Sequence, residues 1–387
     1  MTHPRRRRLL SIAHSYVVDV NRRLADELAA SGEWDVTAVG PARLRGDFGW
    51  HQLEPRADER CDVIPLPVRC PRFVHVMTYG SRLQSLLRQP WDLVHCWEEP
   101  YVLCAAQIAR ATPREVPLVF ATFQNISKRY PPPFNWIERY ALSRASGIIA
   151  FGRTVFDVAA TRVTRDIPMR VISPGVDLTH CKPDPVARAA VRHESGWSEH
   201  DLVVGFVGRF VPEKGCRLLT AALDRVQAPW RALLVGGGPL EGELSEWARP
   251  HGNRVRIVRS ARHDEVPSYL NAMDMLCAPS QTTPRWREQF GRILIEAFGC
   301  GVPVIASDSG EIPYVVADAG VVVGERDIDS WTKAINQLLA DAGARERLAA
   351  RGRQRAMKTF SLPAVARQHL DFFDEIVRQP ALRASAR

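Results

Sequence analysis

The sequence predicts an α/β protein built from two doubly wound domains that face each other across a cleft. Short apolar runs alternate with helical patterns in both halves of the chain, an order typical of a parallel sheet with helices on both faces. The alternation stops at a polar, proline-containing stretch between residues 179 and 200 and then restarts. The length of 387 residues is also more than one domain ordinarily holds.

The first half opens with an apolar run at residues 9–13, which predicts a strand, followed by a helix in which Leu24 and Leu28 share one face. The polar stretch 43–60 has little periodicity and is predicted to be a loop. Runs of apolar residues bounded by turn residues predict the other strands. The predicted strands lie at 9–13, 34–39, 63–66, 93–97, 118–123 and 147–151, and the predicted helices at 20–30, 77–87 and 137–143.

The second half repeats this organisation after a strand that starts at Val171 and runs into a turn. The interdomain linker is predicted near 179–200 because that stretch is polar and charged. A last helical pattern, 365–377, follows the completed second sheet, and we expect it to cross back onto the first domain. The predicted strands are 202–207, 232–235, 255–258, 275–278, 303–306 and 320–323, and the predicted domains are 1–178, 179–361 and the terminal segment 362–387.

Composition narrows the class of protein. The eight cysteines include no Cys-x-x-Cys pair, so we expect reduced, mostly buried thiols in a cytoplasmic protein and no metal site. The net charge of +9 comes largely from the arginines at 5–8 and from the tail at 345–387. This charge predicts either peripheral association with an anionic membrane or an ordinary solvated basic face. The apolar residues after the first arginine run are too few for a signal peptide or a membrane span.

The segment 288–296 is the most informative part of the chain because it places two carboxylates on either side of a Phe-Gly turn that opens an apolar helix. A helix start offers unpaired backbone N–H groups that attract phosphate, and we expect them from Phe290, Gly291 and Arg292. The carboxylates of Glu288 and Glu296 can accept hydrogen bonds from hydroxyl groups. Phosphate and several hydroxyls together describe a nucleotide sugar.

Each carboxylate also has an ordinary structural interpretation. Glu288 could simply stabilise the helix dipole, and Glu296 could be a surface residue of the helix. However, Glu296 lies in an otherwise apolar run, where an unpaired charge is costly. A ribose diol is a suitable partner for it.

Two cations follow the first strand of the second half, in the sequence Gly208-Arg209-Phe-Val-Pro-Glu-Lys214-Gly215. At the mouth of a parallel sheet, Arg209 and Lys214 can neutralise a diphosphate leaving group, because charge builds up there when the bond to phosphate breaks. Alone, they would also fit an ordinary basic loop. The presence of the 288–296 segment in the same half favours the site.

Together these motifs resemble the retaining glycosyltransferases of family 4, which have the GT-B fold of two Rossmann-like domains. The resemblance covers most of the chain and is strongest between about 173 and 323. The motifs that carry it are Ser173-Pro-Gly-Val-Asp177, Gly208-Arg209, Lys214-Gly215, Pro279-Ser280 and the block 288–296 followed by Gly301-Val-Pro-Val.

The resemblance implies a role for each matching residue. Arg209 and Lys214 would bind the donor diphosphate, with no metal ion or cofactor. Glu296 would hold the ribose, and Glu288 would contact the transferred sugar. The block at Phe290, Gly291 and Arg292 would give backbone N–H groups, and the base would lie near Val258 at the end of its strand. The substrates would be a nucleoside-diphosphate sugar and a polysaccharide, lipid-linked or small-molecule acceptor.

One departure from the family affects the first domain. Many members carry a histidine near the reaction centre where this chain has Gln124-Asn125, so Gln124 becomes the catalytic candidate there and Asn125 an acceptor contact. An amide can replace the hydrogen bond of a histidine but not its charge. His95, Glu98 and Glu99, at the end of a predicted strand, are further candidates for acceptor contact, although a lone histidine is more often structural.

Two other functions remain open on the sequence alone. One is an epimerase or phosphorylase with the same fold, and the other is a nucleotide-sugar-binding protein without turnover, which the Gln124-Asn125 departure favours. A nucleic-acid partner is not expected, because no basic stripe carries interleaved aromatic residues. The expected location is the cytoplasm, with the cytoplasmic face of a membrane as the place of any peripheral association.

Overall fold

The computed structural model describes residues 5–46, 49–259 and 261–378, and the chain divides into two compact units. The first unit takes in the chain up to Gly175 and again from Leu362 onward, and the second unit is Val176–Ser361. The sequence analysis placed the corresponding boundaries after residues 178 and 361. The second unit is therefore inserted, along the chain, between two parts of the first.

The first unit contains a seven-stranded parallel sheet with the strand order β11-β10-β9-β8-β1-β2-β5. Two short antiparallel pairs, β3-β4 and β6-β7, lie outside it. The strands are β1 (Arg7–Ile12), β2 (Trp34–Pro41), β3 (Arg43–Gly46), β4 (Gly49–Gln52), β5 (Asp62–Leu66), β6 (Val68–Arg69), β7 (Thr78–Tyr79), β8 (Leu93–Cys96), β9 (Leu118–Thr122), β10 (Gly147–Ala150) and β11 (Met169–Val171).

The burial of these strands explains the apolar runs in the sequence. In β1, Leu9, Leu10 and Ile12 have no exposed surface, as expected for a central parallel strand covered on both faces. At the edge, β5 tolerates Pro65 because an edge strand can lack one ladder N–H group. The helices along this part of the chain are α1 (Arg23–Ala30), α2 (Arg82–Leu87), α3 (Leu103–Ala111), α4 (Phe134–Arg144) and α5 (Arg153–Ala160).

Two sequence predictions in this unit are wrong. The stretch expected to be a loop, 43–60, contains the hairpin strands β3 and β4, where the guanidinium of Arg43 lies 4.3 Å from the ring centroid of Trp50. The expected helix 77–87 starts only at Arg82, because Thr78–Tyr79 pairs with Val68–Arg69 as a strand. In both places, the local structure is decided by strand pairing, which the hydrophobic periodicity of the segment itself does not show.

The second unit contains a six-stranded parallel sheet with the order β14-β13-β12-β15-β16-β17. Its strands are β12 (Val203–Val207), β13 (Arg231–Val235), β14 (Val255–Val258), β15 (Met275–Ala278), β16 (Val304–Ser307) and β17 (Val321–Val323). Its helices are α6 (Pro185–Glu194), α7 (Cys216–Leu223), α8 (Glu241–Ala248), α9 (Val266–Asn271), α10 (Arg292–Cys300), α11 (Ile312–Val316), α12 (Ile328–Ala340) and α13 (Ala342–Arg355). The two parallel-sheet units confirm the predicted α/β class.

The stretch 179–200, predicted to be the interdomain linker, contains the helix α6. The Asp184 side chain caps this helix by accepting a hydrogen bond from the Ala187 N–H at 2.9 Å, and Pro185 follows it in the first turn. Only Val191 and Arg192 are buried in the helix. Most of the helix surface is therefore exposed, which is why its sequence resembles a linker.

The last helix, α14 (Leu362–Arg378), belongs to the first unit. Phe373 meets the ring of Trp34 edge-on at 6.1 Å, and Arg7 forms an ion pair with Asp374. A Cβ added at Gly147 would lie 2.7 Å from Cδ1 of Ile376, so the start of β10 is pressed against this helix. None of the helices in the described ranges is long and apolar enough to span a bilayer.

Candidate functional site at the carboxyl edge of the second sheet

The loop after β12 lies tightly against the loop after β15. Gly215 ends the first loop with φ 71°, a left-handed conformation that favours glycine, and α7 begins at the next residue. A Cβ at this position would lie 1.8 Å from the carbonyl oxygen of Pro279. The close approach places Lys214, which precedes Gly215, beside Ser280, which follows Pro279.

Lys214, Ser280 and Glu288 form a charged cluster at this edge. Nζ of Lys214 donates to Oε2 of Glu288 at 2.6 Å, and the Ser280 hydroxyl donates to the same oxygen at 2.8 Å. The Lys214 ammonium also lies 5.2 Å from the ring centroid of Trp286. The Glu288 side chain is 11% exposed and that of Lys214 is 23% exposed. The structure therefore brings together two predicted site residues that are 74 positions apart.

The backbone around Glu288 is fixed from the next loop. A Cβ at Gly310, where φ is 58°, would lie 2.0 Å from the Glu288 carbonyl oxygen, so only glycine fits there. The same carbonyl accepts the N–H of Glu311 at 3.1 Å. The loop after β16 thus packs against the loop before α10 and holds Glu288 at the site.

Glu296 lies on α10 in a different environment from Glu288. Its side chain is 10% exposed, and its carboxylate accepts no hydrogen bond from the residues that the structure describes. Nε2 of His263 is 3.9 Å from Oε1. Burial raises the pKa of Glu296 to about 7, and Arg292 lowers it by less. Glu296 is thus a largely buried carboxyl in an apolar stretch of sequence, and its one recorded ion-pair contact within the described residues is the long one to His263.

The start of α10 offers the anion-binding geometry expected of a helix terminus. Gly291 precedes the helix with φ 82°, and the Phe290 side chain is buried against Phe360 with 5.8 Å between ring centroids. The N-terminus of a helix attracts anions in general, and here the Leu294 N–H already donates to the Gly291 carbonyl oxygen at 2.9 Å. The predicted base contact, Val258, ends β14 and is partly buried.

Arg209 is the exposed cation of the same edge. It follows β12 by two residues, and its side chain forms no hydrogen bond or ion pair with any residue that the structure describes. An unpaired guanidinium keeps all its donors for a bound anion. Across the described ranges, no three His, Cys, Asp or Glu side chains gather into a group that could hold a metal ion.

The carboxyl edge of the first sheet carries a histidine that sequence reasoning did not assign. Glu98 is fully buried and accepts the His14 backbone N–H at 2.6 Å through Oε1, while Oε2 lies 2.5 Å from His14 Nδ1. The Tyr79 hydroxyl donates to Oε1 at 3.4 Å. Burial lowers the pKa of His14, but the charge and hydrogen bond of Glu98 outweigh it, so the pKa is raised overall. The His14 side chain remains 30% exposed.

Glu99 and Gln124 are also bonded within the first unit. The Glu99 carboxylate accepts the Thr122 hydroxyl at 2.8 Å and the Phe123 N–H at 2.7 Å, and burial raises the pKa of Glu99 although these bonds lower it. The Gln124 amide donates to the Tyr130 hydroxyl at 3.0 Å. Glu99 and Gln124 line a small cavity of about 20 Å³, which has room for about one water molecule.

The expectation that His95 and Glu98 contact an acceptor directly is wrong in this geometry. Both side chains have no exposed surface. His95 accepts from the Trp97 indole at 2.6 Å and packs against the rings of His369 and Phe373, and burial lowers its pKa well below the usual range. Asn125 is 1% exposed. His14 is the accessible residue of this group, and its position directly after β1 was the only signal in the sequence.

Two family models match the chain. The family model described as "Glycosyltransferase Family 4" matches residues 17–180, and the model described as "Glycosyl transferases group 1" matches residues 187–355. The group 1 match thus covers Arg209, Lys214, Glu288 and Glu296.

Curated proteins with similar sequences are named as glycosyltransferases or mannosyltransferases. A "D-inositol 3-phosphate glycosyltransferase" of Salinispora tropica is 34% identical over 64% of this chain and 55% of its own length. A "GDP-mannose-dependent alpha-(1-6)-phosphatidylinositol monomannoside mannosyltransferase" of Mycolicibacterium smegmatis is 36% identical over 48% of this chain and 51% of its own length. The matched part of the chain spans about half the length of these curated relatives.

Solved structures share the fold. A sucrose-phosphate synthase from Thermosynechococcus elongatus superposes with a TM-score of 0.72 at 21% identity, over 96% of this chain and 99% of that one. Anabaena HepE in complex with UDP superposes with a TM-score of 0.73 at 19% identity, over 96% and 100% of the two chains. With the two family matches and the two parallel-sheet units, these findings show that the chain belongs to the family 4 glycosyltransferases of the GT-B fold.

Proposed function

We propose that this protein is a retaining glycosyltransferase that binds a nucleoside-diphosphate sugar on its second unit and needs no metal ion. The proposal is carried by the combination, in the second unit, of an exposed guanidinium and a lysine–glutamate pair at the sheet edge with a largely buried carboxyl on α10 that accepts no hydrogen bond from the described residues. The first two suit a diphosphate, and the last suits a diol. This combination supports a nucleotide sugar over a simple phosphate.

In the proposed complex, Arg209 and Lys214 bind the diphosphate. The ammonium of Lys214 has three donors, so it can keep Glu288 as a partner while it donates to a phosphate oxygen. The two cations stabilise the charge that develops on the leaving nucleoside diphosphate. They take the place that a divalent cation would occupy in a metal-dependent transferase.

Glu296 is proposed to bind the ribose hydroxyls. A buried carboxyl with a pKa of about 7 is uncharged in about half of the molecules at neutral pH. Two hydroxyl donors would stabilise the charged form and lower the pKa of Glu296 in the complex. Donor binding should therefore release a fraction of a proton near pH 7, which is a direct signature of this contact.

Glu288 is proposed to contact the transferred sugar, with the amides at Phe290, Gly291 and Arg292 as neighbours. Its bonds to Lys214 and Ser280 fix the orientation of its carboxylate before substrate arrives. A fixed acceptor of hydrogen bonds can hold a sugar hydroxyl and orient the anomeric carbon. Val258 is proposed to lie near the base.

On the first unit, we propose that His14 contacts the acceptor, with Glu98 as the residue that positions it. The His14 ring is accessible and lies at a carboxyl edge, where ligands of parallel sheets bind. Glu99 and Gln124 lie at the same edge as further candidates. Relatives are named for inositol phosphate and phosphatidylinositol mannoside, which supports a polyol, sugar or lipid-linked acceptor for this protein.

The test is a panel of UDP- and GDP-sugars, with nucleoside diphosphate release measured in the presence of a chelator. Both bases belong in the panel because one relative is named for GDP-mannose and one structural neighbour contains UDP. We expect release with at least one donor, its loss in Lys214→Ala, and product of the same anomeric configuration as the donor by NMR. Release that requires added metal, or an inverted product, would contradict the proposal.

A binding protein without turnover is the second candidate, because Gln124 stands where many family members carry a histidine and its amide is engaged by Tyr130. That candidate predicts donor binding by calorimetry without nucleoside diphosphate release for any acceptor. A phosphorylase would instead form a sugar phosphate only when inorganic phosphate is supplied.

A further inference from the structure

The arginine run near the start of the chain is not an open positive surface. Three of its members pair with acidic side chains of the same unit, and Arg8 donates to Gln89 and stacks on Trp91. The pairs are Arg5 with Asp92 at 3.8 Å, Arg6 with Asp35 at 3.7 Å, and Arg7 with Asp374. The positive charge that is most visible in the sequence is therefore largely compensated in the fold.

A cluster of uncompensated positive charge lies in a groove at the amino-terminal edge of the first sheet. This groove, which we call the arginine groove, has a volume of about 900 Å³ and is lined by Arg88, Arg110, Arg114, Arg144 and Arg165. It is bounded by the ends of α3 and α4 and by the residues that lead into β9 and β10. The groove is thus on the opposite edge of the sheet from His14 and Glu98.

Two of these arginines are held in place by backbone carbonyl groups. Arg144 donates to the carbonyl oxygens of Ala109 and Thr112 at 3.2 and 2.9 Å, at the end of α3. Arg165 donates to the carbonyl oxygens of Ser143 and Ala145 at 2.8 and 3.3 Å, at the end of α4. Both guanidinium groups are therefore positioned before any ligand binds.

The groove carries a large excess of positive charge. None of its five arginines forms an ion pair within the described part of the chain. Each helix end supplies about −0.5 of a charge and the neighbouring Glu115 supplies one more, so about +3 remains. Burial lowers the pKa of Arg144, Arg114 and Arg165 lower it further by repulsion, and Tyr140 and Glu115 oppose this. Cations that repel one another in a pre-positioned cluster gain most from a multivalent anion.

We propose that the arginine groove binds an anion that carries two or more phosphate groups. Guanidinium groups bind phosphate oxygens in a bidentate manner, and the polar lining suits a charged ligand better than an apolar one. The phosphates could belong to a soluble polyphosphorylated molecule or to lipid head groups. The inference is independent of the proposed transferase function, since every groove residue belongs to the first unit and none belongs to the donor site.

The test uses tripolyphosphate as the soluble probe and phosphatidylglycerol vesicles as the lipid probe, with phosphatidylcholine vesicles as the uncharged comparison. The variant Arg110→Gln/Arg114→Gln removes two exposed groove charges and leaves the carbonyl contacts of Arg144 and Arg165 intact. Arg45→Gln/Arg69→Gln is the matched control, because it removes the same charge from two exposed residues of the first unit outside the groove. We expect at least about tenfold weaker binding in the groove variant and less than about twofold in the control.

The possible outcomes distinguish a soluble phosphorylated ligand, lipid head groups and the absence of a binding site in the groove. Groove-dependent binding of tripolyphosphate assigns a soluble ligand, and groove-dependent sedimentation with phosphatidylglycerol vesicles alone assigns lipid head groups. Equal binding by the groove variant and the control overturns the proposal, as does loss of tripolyphosphate binding in Lys214→Ala or its displacement by excess UDP and GDP. A melting temperature unchanged in the groove variant excludes misfolding as the cause.

Discussion

At the carboxyl edge of the first sheet, the acidic side chains are bonded within the fold, whereas at the same edge of the second sheet they are left partly unsatisfied. Glu98 is bonded to His14 and Tyr79, and Glu99 is bonded to Thr122 and Phe123. In the second unit, Glu296 accepts no hydrogen bond from the described residues. Buried polar groups normally form hydrogen bonds, so a largely buried carboxyl that accepts none from the described residues is the stronger indication of a ligand.

The comparison predicts that substitutions in the two units should affect different properties, namely stability and donor binding. Removing a bonded carboxylate of the first unit should cost stability and leave donor binding intact. Removing an unsatisfied charge of the second unit should cost donor binding and leave or improve stability. The four predictions below test this division, from the largest expected change in unfolding free energy to the smallest.

Glu98→Ala should have the largest effect and should be confined to the first unit. It removes a fully buried carboxylate that holds His14 and Tyr79, at a cost of about 3 kcal/mol. Hydrogen exchange measured by mass spectrometry should become faster in β1 and β8 and stay unchanged in β12 and β15. Glu54→Ala, an exposed glutamate of the same unit, is the control. Equal exchange in both variants would remove the distinction between the two edges.

Glu296→Gln should stabilise the free protein at high pH. The pKa of this carboxyl is raised from 4.5 to about 7 in the fold, so its contribution to the unfolding free energy is full below about pH 4.5 and falls as the pH rises through 7. By pH 8 the charged form costs up to about 3 kcal/mol, which the neutral glutamine avoids.

Unfolding of wild type and Glu296→Gln should therefore match at pH 4 and diverge by pH 8. Donor affinity should fall in the same variant, because a glutamine amide offers one uncharged acceptor oxygen where a carboxylate offers two charged ones. A variant that is less stable at pH 8 than the wild type would contradict the predicted cost of charging Glu296 in the folded protein.

Lys214→Ala should cost about 1 kcal/mol of stability through loss of one partly buried pair with Glu288. Its effect on the affinity for a nucleoside diphosphate should be larger, at roughly tenfold to a hundredfold, because an ammonium contact to the diphosphate is lost. Calorimetry with UDP and GDP provides the measurement. Lys333→Ala, an exposed lysine of the second unit, should change neither quantity.

Arg209→Ala should change stability by less than about 0.5 kcal/mol, because its side chain has no partner among the described residues. It should still weaken nucleoside diphosphate binding about tenfold or more, with a weaker dependence on salt than the wild type. If Arg209→Ala were destabilised and bound the nucleoside diphosphate normally, the predicted contrast between the stabilising residues of the first unit and the binding residues of the second unit would be wrong.

The sequence was most informative where a local pattern of residues corresponds directly to one kind of backbone structure. The strands of both sheets could be predicted because buried parallel strands are apolar throughout. The motif at 288–296 could be predicted because the N-terminus of a helix attracts anions. The unusual character of Glu296 followed from its apolar neighbours alone. These features depend on residues close together in the chain.

The misplaced features depend on contacts between distant segments. Nothing in the local sequence shows that Trp97, His369 and Phe373 enclose His95, whereas the His14 side chain remains 30% exposed. The helix α6 was taken for a linker because a mostly exposed helix has a linker-like composition. The arginine run was predicted either to associate with an anionic membrane or to form an ordinary solvated basic face, and its acidic partners, 29 to 367 residues away, were not visible in the local sequence.

The helix α14 makes the first unit discontinuous along the chain, and this has a consequence for synthesis. Phe372, Phe373 and Ile376 complete the core of a sheet whose strands are translated much earlier. During synthesis, the face of the first sheet that α14 covers stays uncovered until this last helix has been made. The second unit is continuous along the chain, so it can fold before that point. A stop codon that removes only these final turns should therefore harm the earliest-made part of the polypeptide most.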